Sequence, residues 1–177
     1  MGFFLGGASV LALAGAELDA EAYKRSCDEP TIDPDCRWFA KSRINLHEID
    51  GVSISGSHRD PRIKVAVAVN PELTTSFTGK SLRAIAVPVQ VIALGKVDPD
   101  QSRLDRAVPN VRYAEIADAT PFSAFSPCMP KATAILAEEG EDGSICRDGT
   151  DRPREEIQAQ MGAIIETALA DGFHERP

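Results

Sequence analysis

The chain has 177 residues, 43% of them hydrophobic and 26% charged, with a formal net charge of −8 at pH 7. That length sets a single domain over residues 1–177 with a core of ordinary size. The acidic balance argues against nucleic acid or an anionic membrane surface as a partner, because both need clustered Lys and Arg to displace counterions, and no apolar run reaches the roughly 18–20 residues that span a bilayer.

The opening stretch, MGFFLGGASVLALAGAELDA, invites two readings. Ala14-Gly15-Ala16 is a small-residue run of the kind a signal peptidase favours, but no Lys or Arg precedes Lys24, so the charged start of an export signal is missing. The Ala, Leu, Val and Gly residues from Gly7 to Leu18 fit a tightly packed buried helix better. Asp19 to Lys41 is polar and holds Cys27, Cys36, two prolines and Trp38, the only tryptophan. It reads as a helix start followed by a pinned loop. Ser53 to Pro61 is a turn-rich surface loop.

Next comes RIKVAVAVNP, in which Ile63, Val65, Val67 and Val69 alternate with Lys64, Ala66 and Ala68. A β-branched run that is apolar on both faces predicts a strand of a parallel sheet, ended here by Asn70-Pro71. A short helix is expected at Ser81–Ile85, a second strand at Val87–Leu94 ending at Gly95, and a third strand at Val111–Asp118. Lys131–Gly140 reads as a helix with Gly140 as its stop signal. Arg154–Phe173 reads as an amphipathic helix. Ile157, Met161, Ile164, Ile165, Ala168 and Leu169 recur at helical spacing, and Glu155 and Glu156 lie in the first turn, where the helix dipole favours them. Strands alternating with helices predict an α/β fold with a three- to four-stranded, mostly parallel sheet flanked by helices.

The four cysteines fall into two local pairs, suggesting disulfides Cys27–Cys36 and Cys128–Cys146, although four cysteines allow three connectivities. Four free thiols in a cytosolic protein is the competing reading. As disulfides they would persist in a periplasm or outside the cell. The spacings C-x8-C and C-x17-C are not those of a zinc site. The acidic segment EEGEDGSICRDGTD does not follow a calcium-loop spacing and reads as a solvated loop. No metal or cofactor is expected.

Gly2-Phe3-Phe4-Leu5-Gly6-Gly7 resembles the nucleophile elbow of α/β-hydrolases, G-x-S-x-G-G, at every position but the apex, where Phe4 stands in place of serine. Further along, DPRIKVAVAVNP looks like the strand that follows. IAVPVQVIALGKVD looks like the strand delivering the catalytic acid three residues past a glycine, which matches Gly95 and Asp98. VPNVRYAEIADATPFSAF is similar to the stretch before the catalytic histidine, with Pro121 at that position ahead of Phe122-Ser123. Together with the cysteine arrangement and ILAEEGEDGSIC, these segments make the whole chain resemble the C-terminal half of a secreted dienelactone-hydrolase-like protein.

The resemblance implies a partial α/β-hydrolase fold and an ancestry in carboxylic-ester hydrolysis. It also implies that the earlier strands are absent and that a periplasmic or secreted origin goes with a signal outside this chain. The triad needs a nucleophile, a base and an acid. Phe4 and Pro121 can fill neither of the first two roles, so Asp98 is left as an orphan acid. Read without the resemblance, KVDPDQ would be a turn. The backbone N–H of Leu5 would be one oxyanion donor, its usual partner coming from an earlier loop. Loss of nucleophile or base costs about 10⁶ in turnover, so the expectation is a truncated, catalytically inactive homologue. Two other readings stand beside it: an ester hydrolase completed by a complementing N-terminal half, and a non-catalytic binding or assembly module that forms homo-oligomers through an open sheet edge. His47, His58 and His174 read as solvated or locally bonded, Ser123 and Ser126 as structural or capping residues, and Cys128 as a disulfide partner rather than a nucleophile.

Overall fold

A computed structural model describes residues 1–28, 34–52, 54–96 and 102–174. Its strands are β1 (Gly2–Phe3), β2 (Ala66–Val69), β3 (Val89–Leu94) and β4 (Val111–Ile116). They form one sheet in the order β1-β2-β3-β4, with every pair parallel. The helices are α1 (Leu5–Ala14), α2 (Ala20–Ser26), α3 (Pro34–Lys41), α4 (Gly79–Arg83), α5 (Ser102–Ala107), α6 (Ala132–Glu138) and α7 (Arg154–His174). No helix among the described residues is long and apolar enough to cross a membrane.

Strand alternation divides the interior into two layers. Ala66, Ala68, Val89 and Val91 face a core shared with Ala8 and Leu11 of α1, Leu82 of α4 and Leu104 of α5. Val67, Val69, Ile92 and Leu94 face the other way, onto Ile157, Met161 and Ala168 of α7. Both faces of β2 and β3 are buried, which is why, apart from the buried Gln90, their sequences are apolar at odd and even positions alike. The sheet therefore lies between helices, as the strand–helix alternation predicts.

Two departures from the sequence reading have local causes. The polar segment after α2 contains a helix, because Pro34 is its first residue, and proline is tolerated there since the first N–H of a helix has no intrahelical partner. The strands begin two or three residues later than the apolar runs, at Ala66 and Val89, since ladder pairing with the neighbouring strand starts there.

The cysteines form Cys27–Cys36 and Cys128–Cys146, with no free cysteine among the described residues. The second bridge closes the excursion that carries α6, a helix with no buried residue. Loop closure over a sequence separation of 18 is worth roughly 3 kcal/mol on chain-entropy grounds. Cys128→Ser with Cys146→Ser should therefore lower the unfolding free energy by about that amount, measured by urea titration.

Near the start of β2, Asp60 accepts from the Arg62 guanidinium at 2.6 and 3.0 Å and from the Arg62 backbone N–H at 2.9 Å. These bonds hold its carboxyl at a pKa of about 2, below the ordinary 3.8. A depressed carboxylate pKa stabilises the fold above the unfolded value and loses that contribution as pH falls through the folded one. Carbon-13 NMR at about pH 3 should find Asp60 ionised in the native protein and, in Arg62→Ala, titrating closer to the ordinary carboxylate value, since the backbone N–H of residue 62 remains.

Candidate functional site

Among the described residues, three of the four non-glycine residues at positive φ lie past the C-terminal ends of β1 and β2, the fourth being Arg43 after α3. Phe4 follows β1 directly, at φ 52° and ψ −120°, and α1 begins at the next residue. Asn70 (φ 42°) follows β2, and Leu73 (φ 57°) lies three residues beyond. Non-glycine residues rarely adopt positive φ, and such strain collects at functional sites. Ligand sites of parallel α/β sheets also lie at this end.

Each strained residue is held by its neighbours. Phe4 N–H donates to the Val69 carbonyl at 3.0 Å, and the Phe4 carbonyl accepts from Ala8 at 3.0 Å and from Glu72 at 3.3 Å. The buried Asn70 side chain accepts from Leu94 N–H at 2.6 Å, tying the ends of β2 and β3 together. Gly2 makes the turn sterically possible: a Cβ there would lie 2.0 Å from the Gly6 carbonyl oxygen. Strand, strained apex and helix thus follow one another within four residues. The apex side chain is an aromatic ring with no nucleophilic atom.

Pro121 opens a short 3-10 turn, Pro121–Ala124, past the end of β4. It is exposed and has no side-chain base. The turn still reaches the apex. The Phe4 ring is stacked on Phe125, with centroids 5.8 Å apart and planes 8° from parallel, and Phe122 lies 6.4 Å from Phe125. The two ends of the expected triad, Phe4 and the turn after β4, are brought together, through rings rather than through a proton-transfer pair. Asp98 lies outside the described residues. β3 ends at Leu94, and Gly95 follows it at a φ of 92°. Leu5, the expected oxyanion donor, is the first residue of α1, and its side chain is half exposed.

Behind the turn lies a polar network. Ser123 is fully buried. Its hydroxyl accepts from Thr120 N–H at 2.9 Å and donates to the Asp148 carboxylate. Asp148 is ion-paired with Arg154, whose Nε lies 3.0 and 3.1 Å from its two oxygens. The other Arg154 nitrogens donate to the carbonyls of Ile145 at 3.0 Å and Ser126 at 3.4 Å. Gln158 donates to the carbonyls of Ser123 and Phe125 at 3.1 and 2.7 Å. Ser123 has a carboxylate beside it but no route to solvent. The network fixes the turn and, through it, Phe125.

Asp148, Arg154 and Phe125 are not singled out by the sequence motifs. One signal points to Arg154. A cation at the first position of a helix opposes the helix dipole, so an arginine there implies a partner elsewhere. The histidines lie apart from this arrangement: His47 pairs with Asp28 at 2.7 Å, His58 lies along α1, and His174 ends α7. Among the described residues no group of three or more His, Cys, Asp or Glu side chains is placed to hold a metal ion. Comparison of the chain with protein-family models, with curated proteins and with solved structures returns no match.

Proposed function

We propose that this chain is a dienelactone-hydrolase-like member of the α/β-hydrolases whose catalytic centre is silent. The observation that supports the reading best is Phe4, an aromatic residue at positive φ between a parallel strand and a helix, stacked on the turn that follows β4. A strand-to-helix turn strained in this way is the setting in which such enzymes hold their nucleophile. The order along the chain also suits it, with Asp98 following β3 in sequence and Pro121 following β4. In this reading the stacked rings occupy the space where an attacking hydroxyl and its base would meet.

Two assays test the proposal. The native chain should hydrolyse p-nitrophenyl acetate and a dienelactone no faster than buffer. Saturable turnover lost on changing one residue of the chain would overturn the silent assignment. Phe4→Ser combined with Pro121→His should then be labelled at position 4 by a fluorophosphonate, while Phe4→Ser alone should not. A correctly folded double variant that stays unlabelled would overturn the assignment of these two positions.

A further inference from the structure

We infer that the cleft between α2 and the chain around Gly51 and Ser55 binds a basic α-amino acid, taking its carboxylate on Lys24 and its cationic groups on an acidic rim. The inference does not rest on the hydrolase reading, since no residue of this cleft belongs to the stacked rings around Phe4.

A lysine is seldom as buried as Lys24, whose side chain is only 8% exposed. Lys24 lies on the same face of α2 as Ala20, one turn further on. Gly51 closes over that face so tightly that a Cβ there would stand 2.9 Å from the Ala20 Cβ and 3.5 Å from Lys24 Nζ. An ammonium has three N–H donors. One goes to Glu21 Oε1 at 3.0 Å, and the other two have no acceptor among the described residues. A charged donor this buried needs acceptors. Ser55 adds a second unspent donor. Its Oγ accepts from Ala20 N–H at 3.1 Å, but its own O–H has no acceptor among the described residues. Lys24 and Ser55 line one open cleft of about 510 Å³, a size that suits a small molecule. Two such donors on one cleft call for a ligand that brings acceptor oxygens, and a carboxylate brings two.

The rest of the lining selects the other end of the ligand. Asp19, Glu48 and Asp50 border the same cleft, while Glu21 is already paired with Lys24. Four carboxylates against one ammonium repel a simple anion such as phosphate. Asp19 Oδ1 and Glu48 Oε1 each accept one local hydrogen bond, and their second oxygens carry none among the described residues. A ligand with one carboxylate and two cationic groups satisfies both sets. Its carboxylate meets Lys24 and Ser55, and its α-ammonium and side-chain cation meet the acidic rim. The exposed Ile49 and Val52 also border the cleft and can cover an aliphatic stem. Arginine and lysine carry these groups together.

Isothermal titration calorimetry at fixed ionic strength tests the inference. L-Arginine should bind saturably. Agmatine, which is arginine without its carboxylate, and δ-guanidinovalerate, which lacks the α-ammonium, should each bind about 10-fold or more weakly, the loss of one charged hydrogen-bonding group. Lys24→Met keeps the aliphatic stem and removes the ammonium. It should weaken arginine by about the same factor and leave agmatine unchanged or tighter, whereas a variant that merely loosened the fold would weaken both. Glu48→Gln should weaken arginine and agmatine alike. Absence of saturable heat with arginine overturns the inference. So does agmatine that matches arginine on the native chain, or a Lys24→Met chain that still prefers arginine, since the cleft would then collect cations without using Lys24.

Discussion

Asp148→Ala is expected to lower the unfolding free energy by about 3–5 kcal/mol, the cost of leaving a buried charge without its counter-ion. Arg154 is only 5% exposed, and Asp148 supplies its one anionic partner among the described contacts. Without that carboxylate the guanidinium keeps two carbonyl acceptors, and the Ser123 hydroxyl loses its acceptor in a fully buried site. For a chain of this size a loss of that order lowers Tm by about 10 °C, readable by scanning calorimetry. The pair also predicts non-additivity. Arg154→Met alone strands the Asp148 carboxylate, whereas Arg154→Met with Asp148→Ala strands neither charge. The double variant should therefore lose less than the sum of the singles, with a coupling of about 2 kcal/mol. Additive losses would mean that the two side chains stabilise the fold independently, against the geometry.

Gly2→Ala should be as damaging, for a steric reason. The added methyl carbon would sit 2.0 Å from the Gly6 carbonyl oxygen and 2.3 Å from its carbon. Both are backbone atoms, so no side-chain rotation relieves the clash. Relief requires moving β1 away from α1, and with it the apex at Phe4. Overpacking typically costs 1–3 kcal/mol where side chains can yield, so about 3 kcal/mol or more is expected where they cannot. Gly6→Ala is the internal control. A Cβ there meets nothing within 4 Å, and Ala is the better helix former, so the change should be neutral or stabilising by up to about 1 kcal/mol. If the two substitutions were equally harmful, the tight strand-to-helix turn would not be the conformation at residues 2–6.

The layers of this fold were legible because burial leaves a period in the sequence. AVAV is apolar at every phase and VQVIAL at all but Gln90, as strands covered on both faces tend to be, and α7 repeats its apolar residues at helical spacing. The turn at Phe4 was legible through its glycines, which mark where backbone passes close to backbone. Pro34 misled, because proline breaks a helix interior yet also opens a helix, and sequence alone does not say which side of the boundary it occupies. The stacking of Phe4 on Phe125 and the pairing of Asp148 with Arg154 left no local pattern. The first joins residue 4 to residue 125, far apart in the sequence, and the second depends on how the segment around the Cys128–Cys146 bridge folds back.

The unequal spacing of the strands bears on how the molecule is assembled. Ala66 pairs with Val89 and Val89 with Val111 across short connections, whereas Gly2 reaches Ala68 only after a far longer stretch of chain. Closing that longer loop carries an extra entropic penalty of roughly 1 kcal/mol. The β2–β3–β4 triplet can therefore form as a nucleus while the first fifteen residues are still unplaced. The strained turn is then added last, onto an edge already built to receive it. During synthesis residues 1–15 would wait for β2, β3 and β4 to emerge before they settle, and until they do, the apolar flank of β2 stays open to other chains.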